Sequence, residues 1–413
     1  MSSPEPQPSP LRRWIFQFRD LLWALVALLL IEVALFYAPI GGFYLPLLKP
    51  TSYAGYRQAT DLRAADLMEK APESRWILIL GNSISDQGFK SDIINLELEG
   101  TGHRALKLAQ GGISPRTFYH VLKHRDLSQV GAVVVGVPFS PWRRGKTIET
   151  TWSTDKNFNV DLAALAALYG LRDQPRLALS LDDLEHRLQS LVGSVFKSVA
   201  LRKDLKDFAA DPYARLRALR IHPTGLGVIH HPKAAFKADR HLGGIRLDEN
   251  GEVDISGATE WFKSSKRRDA VIRQLKATMA FQQSDPLDGK NLTPVYHPVL
   301  RAYLEDMARF VTDQGIPVLW VAMPSMAYPI SDRVDLSALE GMAEALRAEG
   351  RSVQVFHSPG LLRRLQNPES FHDPLHMNQA AAAVLSQKVA GRLREIVAPA
   401  QAQAPAETDD DPS

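Results

Sequence analysis

The sequence predicts a mixed α/β protein: a doubly wound parallel sheet with an N-terminal transmembrane helix and a large, mainly helical insertion. Three observations carry that expectation. Short, continuous apolar runs that end at glycine or proline alternate with amphipathic helical patterns, the signature of strands buried on both faces and joined by helical crossovers. The alternation breaks after Pro141 and resumes near His297. Near the N-terminus an apolar stretch is interrupted by one charge, Glu32.

Composition narrows the classes before any element is placed. With 413 residues, 45% of them hydrophobic and 23% charged, the chain can bury one large core or two modest ones. Its 49 basic and 46 acidic residues leave a net charge of only +3, and its basic runs lack interleaved aromatics. Nucleic acid is therefore not an expected partner. The absence of cysteine removes disulfides, thiolate metal sites and cysteine nucleophiles together.

In chain order, residues 1–20 read as a cytoplasmic segment and 21–38, LLWALVALLLIEVALFYA, as a single transmembrane anchor. Arg12, Arg13 and Arg19 precede the span while the PIGGFYLPLL after it is uncharged, which puts the N-terminus in the cytoplasm and the rest outside. Cleavage after Ala38 is disfavoured by Phe36 at −3 and Pro39 at +1. Glu32 lies well along this span, where an acid costs about 2–3 kcal/mol and faces a protein partner or an aqueous cavity. A span shifted towards the N-terminus would instead put Glu32 at the outer interface with no need of a partner.

Residues 39–74 form a juxtamembrane connector with a helical patch, YRQATDLRAADLMEKA. The catalytic domain is expected over 75–141 and 297–396. Its strands are Ile77–Leu80, GAVVVGVP (131–138), IPVLWVAMP (316–324) and the weaker SVQVF (352–356). RTFYHVLKHR, PVLRAYLEDMARFVTDQG and LSALEGMAEALRAEG read as helices, the last two ending at glycine. Residues 142–296 are too long for a loop. They carry helical patterns and one hairpin signal with Asn250-Gly251 at the turn, and are expected to form a subdomain over the C-terminal strand ends. The low-complexity residues 397–413 are expected to be a disordered tail.

The chemistry is concentrated in FHDPLHMN, residues 371–378. A histidine acting as general base needs an acid on its far nitrogen and a nucleophile on its near one. Asp373 and His376, read as one helical turn apart, supply the first pair. Ser83 in LILGNSIS, just past the first strand, offers the hydroxyl and a backbone N–H for an oxyanion. Other motifs carry less. HRDLSQ (124–129) lacks the other kinase elements; His230 and His231 have no partner at metal-ligand spacing; DENGEVD is accounted for by the hairpin. No metal and no organic cofactor is expected.

Gly81-Asn82-Ser83 after the first strand, a glycine in LAQGGISP, a glycine in VVVGVPFS and Asp373-Pro-Leu-His376 near the C-terminus resemble, in order, the blocks of the SGNH (GDSL-like) hydrolase superfamily. Within it the chain looks most like membrane-anchored bacterial members that acylate cell-envelope polymers, as in teichoic-acid D-alanylation or exopolysaccharide O-acetylation. The resemblance implies a flavodoxin-like three-layer fold, Ser83 as nucleophile, His376 as base and Asp373 as its orienting acid. It further implies an oxyanion hole from the N–H groups of Ser83 and Gly112. The family's third block supplies an Asn side chain to that hole, and GVPFS has none. Either Ser140, Arg143 or a residue of the insertion replaces it, or the enzyme is slow or inactive. The implied substrate is an envelope or exported polysaccharide, and the implied partner a membrane-bound O-acyltransferase contacted through Glu32. The alternative is a catalytically silent scaffold for an envelope modification or export complex.

Overall fold

Trp76 to Leu80 have no exposed side chain, so this segment must be covered on both faces, and it forms the second strand of a five-stranded, all-parallel sheet. The computed structural model describes residues 10–37, 44–49, 52–138, 141–144, 147–150, 168, 195–221, 240–247, 252–266, 268–283, 298–324, 326, 336–365 and 367–398. Its strands are β1 (Arg75–Leu80), β2 (His103–Lys107), β3 (Val130–Pro138), β4 (Pro141–Arg144), β5 (Thr147–Thr150), β6 (Arg246–Leu247), β7 (Val253–Asp254), β8 (Val318–Met323) and β9 (Val353–Phe356). The sheet order is β2-β1-β3-β8-β9, while β4-β5 and β6-β7 are separate antiparallel ribbons.

Four of the five sheet strands coincide with the apolar runs. The strand that the pattern missed, β2, reads HRALK and lies at the sheet edge, where pairing with β1 alone leaves His103, Arg104 and Lys107 partly or fully accessible. Polar residues are tolerated at such an edge and blunt it against further pairing. Ribbon β6-β7 pairs the flanks of the expected hairpin, whose turn residues Asn250-Gly251 lie outside the described residues.

Alternation along the strands divides the sheet into two buried faces. Ile77, Ile79, Ala132, Val134, Leu319 and Val321 share one core with Leu385, Val389 and Leu393 of the helix Gln379–Val397. Leu78, Val133, Val135 and Trp320 are as deeply buried, and the helices Pro115–Lys123 and Pro298–Thr312, which pack on each other, contribute Phe118, Leu122, Tyr303 and Met307 to the buried set.

Chain contacts divide the protein into two compact units, Met1–Ala59 with Asp161–Leu171 and Leu184–Ile229, and Thr60–Val160 with Arg172–Asp183 and His230–Ser413. This corrects the expectation of one insertion subdomain. The described residues 195–221 belong with the N-terminal helix, and the described residues 240–283 belong with the sheet. The expected helix within DLAALAALYGL lies almost wholly outside the described residues, as do His230, His231 and residues 399–413.

In the first unit the helix Pro10–Glu32 continues as a π-helical turn, Val33–Tyr37. Phe18–Tyr37 is long and apolar enough to cross a bilayer. Phe18, Trp23 and Leu30 are all more than half exposed. Glu32 is 2% exposed. Its carboxylate accepts hydrogen bonds from the Lys197 N–H at 2.5 Å and the Ser198 N–H at 3.0 Å. The expectation that Glu32 faces a membrane partner loses its premise here, because the chain itself supplies the donors.

Further contacts hold the same unit. Tyr44 Oη donates to Asp204 at 2.8 Å, and the buried Arg215 pairs with Asp204 at 2.8 Å and donates to the Leu47 carbonyl at 2.7 Å. Phe36, Tyr44, Leu48, Ala54 and Leu201 form a small core beside this network.

Glu32→Leu leaves two N–H groups without their acceptor. It is expected to cost about 1.5–3 kcal/mol of local stability, read as roughly ten- to hundredfold faster amide exchange at Lys197 and Ser198 in the full-length protein. Unchanged exchange there would show that the carboxylate does not hold this segment.

Candidate active site

Asp-Pro-Leu-His closes as a turn rather than a helix, which corrects the helical reading of Asp373 and His376. Pro374 has no N–H and fixes its own φ. Asp373 Oδ1 instead accepts the N–H groups of Leu375 and His376, each at 2.9 Å, the local side-chain cap that Asp favours in turns. The loop around it is braced at both ends. The His372 N–H donates to the His376 carbonyl at 3.1 Å, the Asn378 N–H to the Ser370 carbonyl at 2.8 Å, and Asn378 Oδ1 caps the helix Gln379–Val397 through the Ala381 N–H.

Ser83 opens the short helix Ser83–Gly88, directly after Gly81 and Asn82. Asn82 Oδ1 accepts the Ile84 N–H at 3.0 Å and so stiffens the turn. Gly81 has φ 151°, and a Cβ there would lie 2.0 Å from Ser85 Oγ. Ser85, fully buried, fills the space between this turn and β3: its hydroxyl donates to the Gly136 carbonyl at 3.2 Å, and a Cβ on Gly136 would lie 2.1 Å from it. The glycine in VVVGVPFS thus makes room for Ser85. Sequence reasoning passed over Ser85 because its work is packing.

These elements bring together residues almost three hundred positions apart. Ser83 Oγ donates to His376 Nε2 at 2.9 Å, and His376 Nδ1 donates to Asp373, 2.9 Å from each carboxylate oxygen. A carboxylate only accepts, so the proton sits on Nδ1 and leaves Nε2 free to take the serine proton. Burial works against ionisation of Asp373. The ring bond from His376, the neighbouring imidazoles and the Leu375 N–H outweigh it and hold the carboxyl below the ordinary aspartate value.

The Gln110 N–H donates to the Gly81 carbonyl at 3.0 Å, which extends the β2-β1 pairing and carries the next loop alongside Ser83. Gly111 lies nearest, its Cβ position 3.7 Å from Ser83 Cβ, while Gly112 turns the chain at φ 76°. Among the described residues, the N–H groups of Ser83 and Gly112 have no acceptor. Strand β3 ends at Pro138, without an N–H. Ser140 lies outside the described residues, and Arg143 is described as a backbone position paired with Ile148 in the β4-β5 ribbon.

One neighbour escaped the sequence reading although it lies in the same octapeptide. The His372 ring stacks on His376 with centroids 5.9 Å apart, and its Nδ1 donates to the Met377 carbonyl at 3.2 Å. Its Nε2 is then an unprotonated acceptor 3.6 Å from Asp373 Oδ2. Burial, foremost, pushes His372 below the ordinary histidine value, and the charges of His376 and Arg240 act in the same direction.

His372, Asp373 and His376 each place one ligand atom within 4.8 Å of the others, a possible metal-binding set. Both nitrogens of His376 are already engaged, however, one by Ser83 and one by Asp373. A metal on Nε2 would displace the serine. The chain matches no known family model and no curated protein, so the site rests on its own geometry.

His372 makes stability depend on pH. Its folded pKa lies below the ordinary 6.5, so the unfolded chain binds the proton first as pH falls past 6.5 and stability declines towards the folded pKa. Asp373, depressed from 3.8, adds its loss only at lower pH. His372→Asn should flatten the fall in Tm between pH 6.5 and 5, with the residual slope coming from His357, which burial also lowers. An unchanged slope would show that His372 takes up its proton equally in both states.

Proposed function

We propose that the protein is a membrane-anchored serine esterase or O-acyltransferase of the SGNH type, acting on a cell-envelope or exported polysaccharide through a Ser83 acyl-enzyme. The observation that carries this reading is the unbroken relay from Ser83 Oγ through His376 to Asp373, every link at 2.9 Å. Its location supports the reading too. The sheet order corresponds to the flavodoxin-like doubly wound arrangement, and Ser83 follows β1, whose next strand lies on one side while that of its neighbour β3 lies on the other, the switch point of such sheets. A bacterial inner-membrane location with the N-terminus in the cytoplasm fits the basic residues Arg12, Arg13 and Arg19 ahead of the apolar helix.

The chemistry follows from the proton positions. As Ser83 Oγ attacks an acyl carbonyl carbon, its proton passes to His376 Nε2, and the carbonyl oxygen becomes an oxyanion facing the N–H groups of Ser83 and Gly112. Asp373 balances the imidazolium. Collapse breaks the bond to the leaving group, which departs with the proton from Nε2 and leaves the acyl group on Ser83. An acceptor hydroxyl, of water or of a sugar, then gives its proton to Nε2 and attacks the acyl carbon; collapse breaks the ester bond to Ser83, whose Oγ takes the proton back from Nε2 as the acylated product leaves. Transfer to a sugar, with a membrane-bound O-acyltransferase delivering acyl groups across the bilayer, accounts for a permanent anchor better than hydrolysis does. No partner contact is assigned to Glu32.

The second reading is a silent scaffold, favoured by the absence of an Asn in GVPFS, where the third block of the family supplies its donor. Loss of one oxyanion donor costs about a hundredfold or more, which slows a reaction without abolishing it.

A fluorophosphonate probe and an activated acetyl ester test the chemistry on the full-length protein. Wild type should label and turn over, and Ser83→Ala should do neither. His376→Ala is expected to lose on the order of 10⁶ in rate and Asp373→Ala about a hundredfold less, with the triple variant no worse than Ser83→Ala alone. Equal labelling of wild type and Ser83→Ala would overturn the acyl-enzyme. Activity that needs added zinc would favour the metal set instead.

A further inference from the structure

Near the catalytic loop, and among the described residues, the partly buried Arg240 stands without an anion. Arg240 lies with its guanidinium over the Trp261 ring, 5.5 Å from the centroid. Its Nε is buried, and among the described residues it has no hydrogen-bond acceptor and no carboxylate partner. Two other withdrawn arginines have carboxylate partners, Arg215 with Asp204 and Arg125 with Asp61, each at 2.8 Å. An arginine held over an aromatic ring keeps its charge and its planar fork of donors, and an anion that arrives there finds them already oriented.

The position of Arg240 is tied to the catalytic loop. The Leu242 N–H donates to the Pro368 carbonyl at 3.1 Å and to the Phe371 carbonyl at 2.9 Å, the latter directly before His372. Leu242, Ile245 and Phe262 share a core with Phe371 and Met377, against which Trp261 also packs. The charge of Arg240 is felt at His372, whose ring stacks on His376. This is the histidine side of the relay. The oxyanion would form at the N–H groups of Ser83 and Gly112, whereas an acceptor hydroxyl must approach His376 Nε2 to give up its proton.

We propose that Arg240, propped by Trp261, is the acceptor-side specificity residue and binds an anionic group, carboxylate or phosphate, on the molecule that receives the acyl group. The proposal rests on the acyl-transfer reading for the word acceptor; the anion site itself stands on Arg240, Trp261 and the catalytic loop. A neutral polymer would leave the cation unmatched. An acidic sugar or a phosphate-linked polyol would pair with it and hold a hydroxyl within reach of His376.

Binding is measured by calorimetry on full-length Ser83→Ala protein in detergent, so that no turnover is needed. The probes are a hexagalacturonate, a glycerol-phosphate hexamer and neutral maltohexaose. At least one anionic probe should bind tenfold or more tightly than maltohexaose, and the margin should shrink as salt is raised. Arg240→Gln should erase the margin, Arg240→Lys should keep part of it, and Trp261→Leu should reduce it severalfold. No preference for either anionic probe, or a preference that survives Arg240→Gln, overturns the proposal.

A measurement on wild type guards against a variant that fails to fold: the preferred anionic probe should protect Arg240 from phenylglyoxal, and maltohexaose should not. Absence of that protection also overturns it. Failure of Ser83 labelling would sink the acyl-enzyme and leave these results untouched, so the two readings fail separately.

Discussion

Two neighbouring parallel strands cannot be joined by a hairpin. Each crossover must return the chain to the end at which the previous strand began, so every C-terminal strand end lies along one edge of the sheet. The site depends on that constraint. In the order β2-β1-β3-β8-β9, the three strands at one side deliver Ser83 after β1, Gly111 and Gly112 after β2, and Pro138 at the end of β3 to the same edge. A serine hydroxyl and candidate oxyanion donors meet there because the topology leaves those segments nowhere else to go.

The second half of the relay arrives by a different route. Asp373 and His376 lie on the short loop directly before the last helix, and packing rather than strand pairing brings them to Ser83. The helix Gln379–Val397 lies against the helices that follow β1, and Ser386 Oγ accepts the Lys90 N–H at 2.8 Å. A shift of this helix would pull His376 from Ser83. The buried Asp373 is supported by backbone and ring donors on its own loop, so burying the carboxylate does not leave it unsatisfied. Among the described residues Arg240 has no such compensation.

The apolar helix poses the same problem with a different answer. Glu32, near the end of a run whose side chains are otherwise apolar, is costly in hydrocarbon. The chain removes the cost by bringing the Lys197 and Ser198 N–H groups to it. Residues 195–221, separated from this helix by the strands β1 to β5, are thereby drawn into one unit with it.

Local patterns were sufficient for much of this architecture. Four strands, the principal helices of the sheet unit and the β6-β7 hairpin follow from apolar periodicity and from breakers such as Gly315, Gly350 and Asn250-Gly251, because burial on both faces writes an unbroken apolar run into the chain. The triad residues were legible for a related reason: nucleophile and base need particular side chains in particular local settings, and those settings are short. Edge strand β2 was hidden because one-sided pairing leaves polar residues in place. Ser85, His372 and Arg240 were hidden because packing, stacking and a missing counter-ion are relations between distant segments. So was the allegiance of residues 195–221, set by a carboxylate more than 160 positions away. The sequence by itself determined most of the strands and which residues could serve as nucleophile, base and orienting acid. Only the tertiary structure decided which of them meet, because a 2.9 Å hydrogen bond between Ser83 and His376 is made by the packing of helices on a sheet and leaves no local trace in either segment.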